Sequence, residues 1–266
     1  MDSKITRHLM FVLMFYAGCT KDIVLEDNPL DPGGSEYEIP MVTVLNDIAQ
    51  GGTITTETLT IELGGNDLVV EYRLRLDQGE WSDWTEQNSF TLEHLDEGLH
   101  AIHAQSRYVS TDTSEILSLD FNVDAVAGPA LMVYPRFQSA TQGESIQISI
   151  MAEEVVDLAG LEINVEYDPE RVMITNMEEG DLFNDIGQPI FFQDIIPSEG
   201  SVNITSAVWG DDAPTFTGTR SIAILTLDVM GSGNITIDFG NDPIFRDPNN
   251  SDIQIAETVP GLIVVN

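Results

Sequence analysis

Basic residues and cysteine are scarce in this chain of 266 residues. Ten lysines and arginines face 45 aspartates and glutamates, which gives a net charge of −35. Such a chain repels nucleic acids and anionic lipid surfaces, so neither is expected as a direct partner. The hydrophobic fraction of 42% is normal for a globular protein and excludes a wholly disordered chain. Because the acids are spread along the sequence, they favour a solvated surface suited to salty water over a set of calcium sites.

The single cysteine, Cys19, excludes an intrachain disulfide. It ends the sequence FYAGC, which follows Lys4, Arg7 and an apolar run too short to span a bilayer as a helix. This N-terminus resembles a bacterial lipoprotein signal peptide, although Tyr16 replaces the usual aliphatic residue. The resemblance implies cleavage before Cys19 and acylation of that residue, so that only lipid holds the protein to a membrane. A plain secretory signal with a chance cysteine is the alternative.

Helical periodicity is also missing, since no stretch repeats its apolar residues at helical spacing over three turns. Short runs of alternating apolar and polar residues predict an all-β chain. We divide it into a signal peptide (1–18), an acidic tether (19–40), a first module (41–126) and a second module (130–266). The sequence AVAGPA joins the two modules, which we expect to fold independently because this joint is too short and small-sided to belong to a core. The resemblance to a lipoprotein signal implies a location at the outer membrane or cell surface.

The first module contains the runs EYRLRLDQGEWSDWT and HLDEGLHAIHAQSRYV. They resemble immunoglobulin-like or fibronectin-type β-sandwiches of bacterial surface proteins, which implies a fold and no function. Trp81 and Trp84 are expected to cap the core of this sandwich, with sugar stacking as the alternative. His100 and His103 have an odd spacing on a strand, so they should point to opposite faces and not share a metal ion.

The second module contains neither histidine nor cysteine, the side chains most often used as base or nucleophile. The lack of these side chains favours a binding module over an enzyme, and we predict no catalytic residue. No cofactor and no metal site is expected. The one oxygen-rich loop, with Asp247, Asn249, Ser251 and Asp252, is interpreted as a turn, with calcium binding as the alternative.

An ordered set of motifs in the second module resembles the cohesin domain, a fold that is shared with cellulose-binding modules. The motifs are Gly143-Glu144, Leu158-Ala159-Gly160, Tyr167-Asp168-Pro169, Glu179-Gly180-Asp181-Leu182-Phe183, the strand from Gly200 to Ala207, Gly218 with Ile222-Ala223-Ile224-Leu225-Thr226-Leu227, the strand from Gly233 to Phe239, and Gly261-Leu262-Ile263-Val264-Val265. The resemblance implies a nine-stranded jelly roll. It also implies a partner, because cohesins bind dockerins, which are small calcium-loaded helical modules of other proteins.

The strand LEINVEY raises the question of what its polar half does. Alternation turns Leu161, Ile163 and Val165 toward the core and the polar residues outward. The resemblance places this strand beside SVNITSAVW and NITIDF on the sheet that meets dockerin. The predicted partner-binding residues on these three strands are Glu162, Asn164, Glu166, Asn203, Thr205 and Asp238.

Two further functions stay open at this point. One is direct binding of polysaccharide, for which a row of exposed aromatic side chains is required. Trp209 is the one tryptophan of the second module, and the sequence does not give the direction of Phe191, Phe192 or Phe216, so such a row is not evident. The other is a passive spacer on the cell surface without a ligand.

Overall fold

The structure is a computed structural model that describes residues 28–186, 189–210 and 214–266. Every regular element within these residues is a β-strand, and none of them forms a helix that could span a membrane. The strands are β1 (Val42–Val44), β2 (Gly52–Ile54), β3 (Leu59–Gly65), β4 (Val69–Leu76), β5 (Ser89–Leu92), β6 (Gly98–Tyr108), β7 (Leu117–Val123), β8 (Ala130–Tyr134), β9 (Phe137–Ala140), β10 (Ser145–Leu158), β11 (Gly160–Glu166), β12 (Val172–Glu179), β13 (Pro189–Ile196), β14 (Ser201–Val208), β15 (Phe216–Val229), β16 (Gly233–Phe239), β17 (Ile244–Arg246), β18 (Asp252–Ile253), β19 (Glu257–Val259) and β20 (Gly261–Val265).

The described part of the acidic tether, residues 28–40, contains turns and no strand. The side chain of Asn28 accepts a hydrogen bond from the backbone N–H of Leu30, and Asp31 accepts one from Gly33. Both contacts are local turns of the kind that asparagine and aspartate favour. The signal peptide and Cys19 lie outside the described residues, so cleavage and acylation stay predictions.

Two packed sheets form the second module. One sheet has five strands in the order β12-β15-β10-β8-β19. The other has eight, in the order β13-β14-β11-β16-β20-β9, with β17 paired to β11 and β18 paired to β17. The expected all-β jelly-roll sandwich is confirmed. Its described residues contain more strand segments than the nine that the resemblance implies, because the chain passes between the sheets in short pieces such as β8 and β9.

Alternation along the strands builds the core between the two sheets. Leu161, Ile163 and Val165 of β11 are buried in one large hydrophobic cluster, as expected. Val202 and Ile204 of β14 belong to the same cluster. The polar residues between them therefore lie on the outer face of the eight-stranded sheet. Burial of the apolar half is what fixes the direction of the polar half, since a slip of one residue would expose the entire apolar set.

The first module is a second, smaller β-sandwich. A three-stranded sheet, β1-β3-β5, packs on a four-stranded sheet, β2-β7-β6-β4. Its core includes Ile61, Leu63, Leu74, Ile102 and Phe121. Membership of this sandwich in the immunoglobulin-like or fibronectin-type class stays a prediction.

The joint between the modules differs from the expectation that it lies outside any core. Val126 and Ala130 are fully buried and form a small cluster of their own with Met132 and Val259. Contact between the modules is continuous enough that Pro40–Asn266 is one compact unit. The expectation was wrong because small side chains do not prevent burial: Val126 and Ala130 pack with Met132 and Val259.

A candidate docking face on the eight-stranded sheet

The three strands chosen from the sequence are neighbours in the structure. β11 pairs in antiparallel fashion with β14 along its whole length, and its end pairs with β16. Residues that face each other across a pair of strands lie on the same side of the sheet. The six predicted residues therefore share one face and form three pairs: Glu162 with Thr205, Asn164 with Asn203, and Glu166 with Asp238.

Strand pairing extends this outer surface into four rows, which we call the docking face. Row 1 is Ile190, Ala207, Gly160 and Arg246; row 2 is Phe192, Thr205, Glu162 and Ile244; row 3 is Asp194, Asn203 and Asn164; row 4 is Ile196, Ser201, Glu166 and Asp238. Of the six predicted residues, Asn164 is half-buried and the other five are exposed.

Row 3 is held by a hydrogen bond between two amide side chains. Nδ2 of Asn164 donates to Oδ1 of Asn203 at 2.8 Å. The backbone N–H of Gly240 donates to the carbonyl of Asn164 at 2.9 Å. A Cβ on residue 240 would come within 2.5 Å of Oδ1 of Asn164, so only glycine allows the chain after β16 to pass this close. The amide pair is thus positioned before any partner arrives.

Two strands that the sequence reasoning did not include contribute to the face. β13 supplies Ile190, Phe192 and Asp194, while β17 supplies Ile244 and Arg246. Phe192 is 66% exposed, whereas Phe191 packs against the core. Alternation alone could not decide which of two adjacent phenylalanines faces water, and the pairing of β17 with β11 depends on a loop whose path the sequence does not reveal.

A groove of about 440 Å³ crosses the row 1 end of the face. Gly160 and Ala207 lie in it, with Ile244 and Arg246 on the β17 side. Arg246 forms an ion pair with Asp252 and donates to the carbonyl of Asn250 at 3.3 Å. These contacts hold the guanidinium at the edge of the groove.

The oxygen-rich loop after β17 is a turn, as expected. Oδ1 of Asp247 accepts hydrogen bonds from the backbone N–H groups of Asn249 and Ser251, both at 2.8 Å. The bond from the backbone of Ser251 is the main cause that lowers the pKa of Asp247 below its usual value. Across residues 28–186, 189–210 and 214–266, no group of three or more His, Cys, Asp or Glu side chains is arranged to hold a metal ion.

The two histidines of β6 point to opposite faces, as their spacing predicts. His100 binds Asp77 through Nδ1 at 2.8 Å and the carbonyl of Asp96 through Nε2 at 2.9 Å. His103 contacts the hydroxyl of Ser118 instead, at 2.9 Å. Burial lowers the pKa of His100, but the hydrogen bonds that its ring donates to the Asp77 carboxylate and to the Asp96 carbonyl outweigh burial and raise the pKa above the usual value.

The prediction that Trp81 and Trp84 cap the core is wrong. Neither ring belongs to the hydrophobic cluster of the first module. The guanidinium of Arg73 lies over both rings, 4.4 Å from the centroid of Trp81 and 4.6 Å from that of Trp84, while Arg75 and Arg107 flank the outer sides. The rings are occupied by cation–π contacts on the outer surface of β4, so their faces are not open for a sugar.

Several solved structures are similar to half of this chain. A non-cellulosomal cohesin of the archaeon Archaeoglobus fulgidus is 12% identical over 52% of this chain and 90% of its own, with a TM-score of 0.43. A chain of a type I cohesin–dockerin complex of Clostridium thermocellum is 16% identical over 52% of this chain and 92% of its own, with a TM-score of 0.44. A type II cohesin domain from the cellulosome of Acetivibrio cellulolyticus is 19% identical over 50% of this chain and 94% of its own, with a TM-score of 0.43.

A search of curated proteins found no match. The model of the cohesin domain family matches residues 133–265, which is half of the 266 residues. The matched range covers the entire docking face and all of both sheets except the start of β8. Through this module, the chain belongs to the cohesin family.

Proposed function

We propose that this protein is a lipid-anchored docking protein of the cell surface, whose cohesin domain binds a dockerin-type partner and thereby positions it for polysaccharide breakdown. Cohesin domains are non-catalytic binding modules that typically dock dockerins. The observation that carries the proposal is the docking face, where the six predicted residues meet in three pairs on adjacent strands. Its side chains project from a sheet fixed by a buried core, which is the rigid support that a recognition site needs.

The chemistry of the face suits a partner that donates hydrogen bonds. Glu162, Glu166 and Asp238 accept only, and Thr205 and Asn203 can accept as well as donate. Serine, threonine, lysine and arginine on the partner's helices would match these groups. Charged side chains at the rim speed association, whereas the central amide pair has the greater share of the affinity.

Membrane attachment is part of the same proposal and rests on the sequence FYAGC. Two or more acyl chains on Cys19 would anchor the protein stably. The acidic residues 19–40 would then separate the folded modules from the membrane. The partner itself would not need a membrane segment.

Direct polysaccharide binding is the less favoured function for the second module. Phe192 and Trp209 are exposed, at 66% and 75%. Phe216 is buried, and Phe191 packs against the core. The other exposed rings of the second module, Tyr134 and Phe137, belong to β8 and β9. The two rings at the docking face are fewer than the flat row on which a sugar chain stacks, so the hydrogen-bonding face is the better-supported binding surface.

Titration calorimetry of the soluble chain from residue 20 onward against calcium-loaded dockerins tests the docking function. Asn164→Ala and Asn203→Ala should each weaken binding by about 2 kcal/mol, or about thirtyfold, because each leaves its amide partner unpaired at the centre. Asn176→Ala is the matched control, since Asn176 is exposed on the five-stranded sheet. Binding that survives both central changes would place the site elsewhere. Absence of dockerin binding together with polysaccharide binding would favour the alternative function.

A further inference from the structure

The turn between β5 and β6 connects the first module to the second. The backbone N–H of Arg136, which lies between β8 and β9, donates to Oδ1 of Asp96 at 2.7 Å. The guanidinium of Arg136 also donates to the carbonyl of Leu95 at 3.3 Å. His94 stacks on Phe137 of β9, with the ring centroids 5.5 Å apart. The position of this turn therefore determines how firmly the first module contacts the second.

His100 of β6 holds the turn in place through both nitrogens of its ring. Nε2 lies 2.9 Å from the carbonyl oxygen of Asp96, and Nδ1 lies 2.8 Å from Oδ2 of Asp77. Asp77 is itself fixed, because its Oδ1 accepts the backbone N–H of Ala101 at 2.8 Å. The imidazole stacks on Phe121 and its side chain is 10% exposed. Water therefore has little access with which to replace either contact.

Both partners of the His100 ring are acceptors of hydrogen bonds. A carbonyl oxygen carries no hydrogen, and an ionised carboxylate carries none either. A neutral imidazole has a single N–H, so it would satisfy one contact and turn a lone pair toward the oxygen of the other. The protonated ring donates from both nitrogens and matches the two acceptors. The arrangement is therefore that of an imidazolium ion.

The surroundings of the ring favour its positive charge. The charged and titratable groups of this network come from both modules: Glu57, Asp77, Asp96, Tyr134 and Arg136. Burial lowers the pKa of His100, but the hydrogen bonds and the charges of Asp77 and Asp96 more than offset that effect. On the neighbouring strand β7, Phe121 faces the ring and does not titrate. The positive charge of Arg136 is paired with Glu57 at 3.3 Å.

The charge on His100 also affects the contact with Arg136. Burial raises the pKa of Asp96, and the N–H of Arg136 and the positive charge of His100 oppose that rise. The protonated ring thus helps to keep Asp96 ionised, and an ionised acceptor binds an N–H more strongly than a neutral one. Loss of the proton removes this charge together with one hydrogen bond of the ring.

We propose that His100 is a pH-sensitive switch at the joint between the modules: the imidazolium holds the β5–β6 turn against Arg136, and loss of its proton releases the turn. The folded-state pKa of His100 is raised, so the stabilisation is complete below the ordinary value and is lost as the pH rises through the folded value. The joint is then tight in mildly acidic surroundings and looser in alkaline ones. No residue of the docking face takes part, so this inference is independent of the proposed docking function.

Nuclear magnetic resonance of the soluble chain from residue 20 onward tests this switch. The nitrogen chemical shifts of the His100 ring should report two N–H groups in mild acid and one at alkaline pH. As the proton is lost, the amide of Arg136 should lose about tenfold or more of its protection from hydrogen exchange, measured against an unstructured amide at each pH. A neutral ring in mild acid would overturn the inference, and so would protection of Arg136 that does not follow the protonation of the ring.

Variants separate His100 from Glu97 and Glu153, whose pKa values burial also raises. His100→Gln keeps a side-chain donor but cannot gain a proton, so protection of Arg136 should stay low at every pH. His103→Gln is the matched control, because His103 lies on the same strand and contacts Ser118 on the other face. It should keep the full response.

Asp77→Asn tests the origin of the charge preference even if His100→Gln does not fold. The amide keeps the shape of the carboxylate and removes its negative charge, so both the ring titration and the loss of Arg136 protection should move to lower pH. An unmoved transition in this variant would overturn the inference. A pH response that persists in folded His100→Gln would assign it to the glutamates and overturn the inference as well.

Discussion

Glu153 is a buried carboxylate in a chain that already carries a large excess of negative charge. It is 8% exposed; Oε1 accepts the hydroxyl of Thr219 at 2.9 Å, and Oε2 has no hydrogen-bond partner within the described residues. Burial is the main cause that raises the pKa of Glu153; the bond from Thr219 opposes the rise, and the charges of Glu97 and Glu154 add to it. Ionised Glu153 therefore destabilises the folded state.

The sign of the pH effect follows from this raised pKa. Between the ordinary pKa of glutamate and the higher folded value, the folded state binds more protons than the unfolded state, so stability falls as the pH rises through that window. Glu153→Gln removes the charge and keeps an acceptor for Thr219. We expect the free energy of unfolding to increase by about 1 kcal/mol at pH 7.5, because a neutral amide costs less to bury than an ionised carboxylate. The gain should disappear at a pH below the ordinary value.

Denaturant unfolding of both proteins across this pH range measures the difference. Glu170→Gln is the control, because Glu170 is exposed in the turn after Tyr167 and loses a charge of the same sign. Equal stability of wild type and Glu153→Gln at pH 7.5, or a gain that persists in acid, would contradict the assignment. A matching gain in the control would show that the effect comes from net charge alone.

Residue directions on the docking face were predictable from the sequence where a single strand alternates cleanly. Glu162, Asn164 and Glu166 alternate with three buried aliphatic residues, and the structure gives each its expected direction. The arginine contacts of Trp81 and Trp84 were not predictable, because they depend on the tertiary structure. They depend on Arg73 and Arg75 facing outward beneath a loop that folds back over β4.

At the scale of elements, the joint between the modules is a set of backbone amides held by carboxylates. Glu97 of the first module accepts the N–H groups of Ala125 and Val126 at distances of 3.0 to 3.1 Å. Glu257 accepts that of Ala127 at 2.8 Å, and Glu154 accepts that of Gly128 at 3.3 Å. Four successive amides are thereby satisfied by glutamates from both modules.

Removal of Glu97 should loosen this joint. Glu97→Ala leaves two N–H groups without their acceptor, which we expect to lower the free energy of unfolding by about 1 to 3 kcal/mol. Hydrogen–deuterium exchange at residues 125 and 126 should accelerate, whereas exchange in β11 should not. Glu97→Gln keeps one acceptor oxygen and should give a smaller loss. Unchanged exchange at both amides in the alanine variant would show that Glu97 does not hold the joint.

The sequence predicted elements better than it predicted their connections. Alternation located β11, β14 and β16, and the family resemblance placed them side by side. The contribution of β13 and β17 to the face depended on strand register and on a loop, neither of which has a periodic signal. The role of the joint was missed for a related reason, since its hydrogen bonds come from glutamates distant in sequence.

At the scale of the whole molecule, the acids determine the surface potential because the few bases are already engaged. Each of the seven arginines in the described residues takes part in an ion pair, a hydrogen bond or a cation–π contact: Arg73, Arg75, Arg107, Arg136, Arg171, Arg220 and Arg246. A partner must therefore bring its own positive charge, and its association rate should fall as salt screens the attraction. Near an anionic membrane the same charge is repulsive, so attachment through surface charge is disfavoured.

The proposed acylation of Cys19 would provide another means of attachment, and it yields the last prediction. The first 18 residues carry two bases and one acid, so their removal changes the net charge from −35 to −36 and makes electrostatic membrane binding still less favourable. Wild type expressed with its own N-terminus should begin at Cys19, carry acyl chains by intact mass and require detergent for extraction. Cys19→Ala should lack the lipid and leave the washed membranes, because no other described feature holds it there. Protease treatment of intact cells should cleave the wild type if it faces outward. A soluble, unacylated wild type that begins at another residue would refute the anchor and leave the docking face unaffected.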